Sequence, residues 1–155
     1  MWLLEGIVIA VIQKKSIRVN WKALVTYILM SGSSGMSMAG EMPTGANVQS
    51  GNVKISGQNS NHLIIDQSTN KSIINWDSFS IHNKGRVDFN MPSSASSSLN
   101  RITGSTPSTI AGQLNSNGKV LLVNPNGVMI TKNGVVKTGS FTASTLGINN
   151  DDFLK

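Results

Sequence analysis

The chain has 155 residues, 39% hydrophobic but only 5% aromatic and 13% charged, with a net charge of +6 and no cysteine. That length suits one domain, the charged fraction is about half the roughly 25% of an ordinary globular domain, and the missing cysteine excludes disulfide staples and thiol chemistry. The positive charge does not make a nucleic-acid surface: Lys14, Lys15, Arg18 and Lys22 crowd the amino-terminal end, and the other cations are scattered, without the concentrated patch that such binding needs.

Residues 1–12 are apolar apart from Glu5 and too few to span a bilayer. The basic cluster follows, then a second apolar run at residues 23–30, then small residues ending in Ser37-Met38-Ala39. Basic, apolar and small residues in that order are the pattern of a secretory signal peptide, here a signal-peptide helix with cleavage predicted between Ala39 and Gly40. The general secretory machinery and a signal peptidase are its implied partners. The run at residues 1–12 reads either as an extension of the signal or as an upstream start. The chain thus divides into a signal segment, 1–39, and one domain, 40–155. Without the signal the domain keeps 9 basic residues against 6 acidic ones.

From Thr44 onward, short alternating apolar runs recur, each closed by turn residues. Val53-Lys54-Ile55 stops at Ser56-Gly57, and Leu63-Ile64-Ile65 at Asp66. Ile74 and Trp76 are followed, after Asp77-Ser78, by Phe79 and Ile81; Val87 and Phe89 end at Pro92. Residues 91–98, rich in serine, read as a solvated loop, with patterned sequence resuming at Leu99. Ile110 and Leu114 flank Gly112, and residues 120–123 run apolar up to Asn124-Pro125-Asn126-Gly127. Proline pre-sets φ for the second place of a tight turn, and Asn and Gly tolerate positive φ, so this tetrapeptide reads as strand, corner, strand. Further corners come at Lys132-Asn133-Gly134 and Thr138-Gly139-Ser140.

Strands this short do not readily build a two-layer sandwich. They suit an all-β parallel β-helix, in which each coil stacks its inward side chains on those of the next. Scarce aromatic residues fit a narrow core. The competing reading, an antiparallel sandwich, calls for longer alternating strands joined by Asn-Gly hairpins.

Candidate chemistry is thin. Asp66, Asp77 and Asp88 are spaced evenly at strand ends and would suggest a carbohydrate-cleaving β-helix only if they shared one face; turn roles account for them more readily. His62 and His82 have no metal-ligand spacing, and no Gly-x-Ser-x-Gly elbow exists. No catalytic residue, metal site or cofactor is expected. A carbohydrate- or matrix-binding adhesin module is a further alternative, but Trp76, the one tryptophan after the signal, reads as buried.

An ordered set of motifs resembles the haemagglutination activity domain, the amino-terminal two-partner secretion domain of filamentous haemagglutinin-like exoproteins. It comprises Ile74-Asn75-Trp76-Asp77-Ser78-Phe79-Ser80-Ile81, Val87-Asp88-Phe89 with Pro92, Leu99-Asn100-Arg101-Ile102-Thr103-Gly104, Ile110-x-Gly112-Gln113-Leu114 and Gly118-x-Val120. Val123-Asn124-Pro125-Asn126-Gly127-Val128, Ala143-Ser144-Thr145 and Asp151-Asp152-Phe153-Leu154 complete it. The resemblance implies a right-handed parallel β-helix with an amino-terminal cap. It implies export through an outer-membrane pore-forming transporter whose periplasmic domains read the domain as an address, with any host-surface ligand belonging to the full-length exoprotein. It also implies a longer domain than this one, so the carboxy-terminal end is expected to be truncated. The upstream Asn-Pro-Asn-Leu element of some relatives has no match here. Expected recognition residues are Asn124, Pro125, Asn126 and Gly127, with Asn100 and Arg101 second; Pro125 and Gly127 also have a plain turn role, and Asn126 suits either.

Overall fold

The computed structural model describes residues 41–155; the expected signal segment and its Ala39–Gly40 cleavage site lie outside them. The described residues form twelve strands of three to six residues and one short helix. In chain order the strands are β1 (Asn47–Ser50), β2 (Val53–Ser56), β3 (His62–Gln67), β4 (Lys71–Trp76), β5 (Arg86–Asn90) and β6 (Ser97–Ile102). Then come β7 (Ser108–Ile110), β8 (Gln113–Ser116), β9 (Lys119–Val123), β10 (Val128–Ile130), β11 (Val135–Lys137) and β12 (Ser140–Ser144), and the helix α1 (Asn150–Leu154) closes the order.

The pairing is that of a right-handed parallel β-helix of about four turns, the hand that parallel crossovers adopt. One sheet stacks β3, β5, β8 and β11 in parallel, a second stacks β4, β6, β9 and β12, and β7 pairs with β10 on the third side. Ile81 bridges to Ile110 in the same parallel sense, extending that third side back to the first turn. Each turn takes roughly two dozen residues, within the range of solenoid repeats. Antiparallel pairing is confined to the amino-terminal cap: β1 on β4 and β2 on β3. The sandwich alternative is therefore excluded, and the cap covers the edge that the first turn would otherwise expose.

The core follows from strand alternation. Leu63, Val87, Leu114 and Val136 lie in register, one above the next. Opposite them are Ile74, Trp76, Ile102, Val120 and Leu122, and the third side adds Phe79, Ile81 and Ile110. Trp76 meets Phe79 edge to face, with centroids 5.3 Å apart, the favoured geometry for two rings.

The interior is not wholly apolar. Ser72 Oγ donates to Gln67 Oε1 at 2.6 Å and lies 3.0 Å from Ser98 Oγ on the next turn, while Trp76 Nε1 donates to Asn100 Oδ1 at 2.9 Å. This ladder corrects the loop expected at residues 91–98. Pro92 to Ala95 are exposed, but Ser96, Ser97 and Ser98 are buried, and β6 begins at Ser97. Serine looks like a loop residue by composition, yet a small hydroxyl with a partner in the neighbouring turn fits the narrow bore. The helix α1 was likewise not expected from periodicity. Its signals are local: Asn149 accepts from Asp151 N at 3.1 Å as N-cap, and Asp151 and Asp152 occupy the first turn, where acidic side chains favour the helix dipole.

Leu114 is fully buried in the central stack. Leu114→Ala should cost about 2–5 kcal/mol, read from denaturant unfolding, whereas Lys54→Ala on the exposed face of β2 should stay within about 0.5 kcal/mol.

Candidate functional site

The corner after β9 is built by Asn124. Its side chain is fully buried, and its Nδ2 donates to Thr106 O and Ser108 Oγ, both at 3.0 Å. Its Oδ1 accepts from Asn126 N at 2.9 Å and from Asn126 Nδ2 at 3.1 Å. Gly127 N donates back to Asn124 O at 3.0 Å and closes the four-residue turn. Asn124 N donates to Ser144 O, and Ser108 N to Gly127 O, each at 2.9 Å. One corner thus links the β6–β7 connection of the turn before with β12 of the turn after.

The four residues play different parts. Gly127 has φ +108, and nothing lies within 4 Å of the place its Cβ would take, so the requirement there is conformational rather than steric. Pro125 and Asn126 are exposed. Asn126 Nδ2 also donates to Gly104 O at 2.9 Å, which fixes its side chain at the surface. Pro125 and Asn126 are therefore the most exposed part of the motif.

Asn100 and Arg101 lie elsewhere. Asn100 is fully buried; besides accepting from Trp76, its Nδ2 donates to Ser98 Oγ at 3.2 Å and to Leu121 O at 3.4 Å. It is an interior bracket between turns and presents nothing outward. Arg101 points the other way, onto the outer face of the β4–β6–β9–β12 sheet, where its guanidinium donates to Asn150 Oδ1 and Ile148 O. The six expected residues do not form one cluster.

The evenly spaced carboxylates do not converge either. Asp66 and Asp88 are both on the outer face of the β3–β5–β8–β11 sheet, but Asp66 stands opposite Asn90, which donates to it at 2.7 Å, and Ile64 stands opposite Asp88. Asp77 sits at a corner against Thr44 and Gly45. Among the described residues no group of three or more His, Asp or Glu side chains is placed to hold a metal ion.

Sequence reasoning missed the partners of Asp88. His62 Nε2 lies 2.6 Å from its Oδ2, Arg86 Nε donates to both oxygens at 2.8 and 2.9 Å, and Asn115 Nδ2 donates to Oδ1 at 2.8 Å. Only the strand register brings His62, Asp88 and Asn115 from three turns onto one patch; the i, i+2 spacing of Arg86 and Asp88 was the one visible signal. Burial pushes the Asp88 carboxyl up, but the hydrogen bonds from Arg86, Asn115 and His62 and the charge of Arg86 outweigh it and hold the carboxyl below its ordinary range.

Two outcomes follow from these contacts. Asp88 loses its proton more readily in the folded chain than in the unfolded one, so its stabilising effect is complete above about pH 4 and fades as pH falls through the lowered value. The penalty of Asp88→Asn should therefore shrink as pH falls below about 4, in unfolding measured as a function of pH. Asn124→Ala strands Ser108, Thr106 and Asn126 groups at once and should cost about 1–3 kcal/mol, clearly more than Asn126→Ala in the same denaturant titration.

With this geometry in place, comparison with known proteins is specific. The family model of the TPS (two-partner secretion) secretion domain matches residues 39–155. The crystal structure of the HMW1 secretion domain from Haemophilus influenzae superposes with a TM-score of 0.68 at 38% identity, covering 72% of this chain and 30% of that one. A heme/hemopexin-binding protein of Haemophilus influenzae (strain ATCC 51907 / DSM 11121 / KW20 / Rd) is 36% identical over 124 residues, 79% of this chain and 14% of its own length. A second heme/hemopexin-binding protein of Haemophilus influenzae is 33% identical over the same extent, 13% of its length. The chain thus spans about one seventh of the curated relatives it matches. Fold, motif order and family match agree: the chain belongs to the TPS secretion-domain family.

Proposed function

We propose that this domain is the export address of a longer exoprotein, read in the periplasm by the periplasmic domains of a dedicated outer-membrane pore-forming transporter and then passed through its pore to the cell surface. The observation that carries this reading is the family match over residues 39–155. In this reading the general secretory machinery brings the chain across the inner membrane, and signal peptidase cuts between Ala39 and Gly40.

The strand pattern supports the means of capture. An incompletely folded strand offers unpaired N–H and C=O groups that can add to a sheet edge, while alternate side chains set specificity. Once outside, each turn finds a template in the one before it, because solenoid stability is a sum of neighbouring interfaces. Pro125 and Asn126, exposed on a rigid corner, are the surface features we assign to recognition; Asn124, Asn100 and Gly127 build the fold that presents them. This role needs no catalysis: Asp88, the most enclosed carboxylate among the described residues, has its oxygens taken up by Arg86, His62 and Asn115, so it is a poor proton acceptor for a substrate. The heme and hemopexin binding named for the relatives belongs to proteins of which this domain matches about one seventh, and it is not carried over to this domain.

The test compares surface export, in cells carrying the transporter, with refolding of the purified chain from denaturant. Asn126→Ala and Pro125→Ala should each lower export several-fold while changing folding stability by about 1 kcal/mol or less. Unchanged export by both variants removes the corner from recognition. Amino-terminal sequencing of the exported product should begin at Gly40.

A further inference from the structure

In a plain solenoid each turn touches only the turns above and below it. The segment after β12 departs from that rule. It leaves the fourth turn at Ser144 and lies back across the outer face of the β4–β6–β9–β12 sheet. Arg101 of β6 holds it at Ile148 O and Asn150 Oδ1. Lys71 of β4 donates to Phe153 O at 3.0 Å, and its ammonium stands 5.8 Å from the centre of the Phe153 ring.

The outer face beneath is built to receive it. Ser72, Ile74 and Trp76 of β4 point inward, so alternation turns Ile73 outward. Yet Ile73 and its neighbour in register, Leu99 of β6, are both 0% exposed. What covers them is Phe153, which joins Ile73, Leu99 and Val123 of β9 in one cluster. This second apolar cluster is separate from the bore and draws on the first, second and third turns together. The Asn149 cap sets α1 in the geometry that presents Phe153.

We propose that residues 145–155 form a strap that couples the turns of the solenoid to one another beyond nearest neighbours, with Phe153 as its anchor and Lys71 and Arg101 as the residues that position it. A strap joined by the chain to the fourth turn and docked on the first three makes the four turns open and close as one unit. Resting on the export reading above, this gives the four turns a locking step. Until Phe153 has emerged, the strip formed by Ile73, Leu99 and Val123 stays open and the early turns hold only by their own stacking. When it arrives, the four turns lock.

Native-state hydrogen exchange on the full 155-residue chain tests the strap without any transporter, so its failure and failure of the export reading are separable. Three variants are compared with the parent: Phe153→Ala, the conservative Phe153→Leu, and Val136→Ala, which weakens the core of the fourth turn without touching the strap. Phe153→Ala should speed exchange of the β4 and β6 amides at least about tenfold, as much as those of β11 and β12, and Phe153→Leu should restore most of the protection. Val136→Ala should act mainly on β11 and β12. If Phe153→Ala produces the Val136→Ala pattern, fading from the fourth turn to the first, the strap is a passive cover and the proposal is overturned. Should Phe153→Ala not fold, Arg101→Ala removes the bonds to Ile148 and Asn150 alone; the same far-reaching pattern at smaller size supports the strap, and an effect limited to residues 145–155 overturns it.

Discussion

The structure depends on the stacking of like positions from turn to turn. Leu63, Val87, Leu114 and Val136 sit in one column because parallel pairing holds the strands in register. Each inward side chain therefore rests on its counterpart, and the bore can be no wider than two facing side chains allow. The composition follows from that limit: rings are scarce, and Trp76, Phe79 and Phe89 are fully buried within the bore. The corners follow too. At Gly112 a Cβ would stand 2.2 Å from His82 O, so the connection between successive strands is drawn in until backbone meets backbone, and only glycine fits there.

The same constraint explains where polar groups can go inside. A buried donor or acceptor needs a partner, and in a solenoid the nearest one is the equivalent position one turn away. Gln67, Ser72, Ser98, Asn100 and the indole N–H of Trp76 form such a ladder between the first and second turns. Asn124 does the same work at a corner, reaching Thr106 and Ser108 of the preceding turn. These bonds are specific to one register, since a slip by one residue would turn every inward side chain to the other face. They therefore select the correct stacking among many alternatives of similar apolar content.

A fold of this kind suits a chain that is delivered from one end. Its stacked strands join neighbouring turns, so order can grow along the chain rather than wait for distant segments. The amino-terminal cap, formed by β1 and β2 against β4 and β3, gives the growing stack a closed first edge. The segment carrying Phe153 adds a long-range tie, bringing together Lys71 of the first turn and Phe153 beyond the fourth.

The sequence by itself determined the fold class, most strand positions and the corner at Asn124 to Gly127, because alternation and turn chemistry are local properties of the chain. The ordered motifs determined the family for the same reason. What it left open were the facts that depend on register. Serines 97 and 98 read as loop until they were placed beside Lys71 and Ser72 of the turn before; Asp88 looked like a turn residue until His62 and Asn115 came to lie on either side of it; Asn100 and Arg101, adjacent in the chain, face opposite sides of one strand. Only the tertiary structure decided these, since contacts in a solenoid are made between turns, at separations set by corner lengths that vary from one turn to the next and leave no fixed period in the sequence to read.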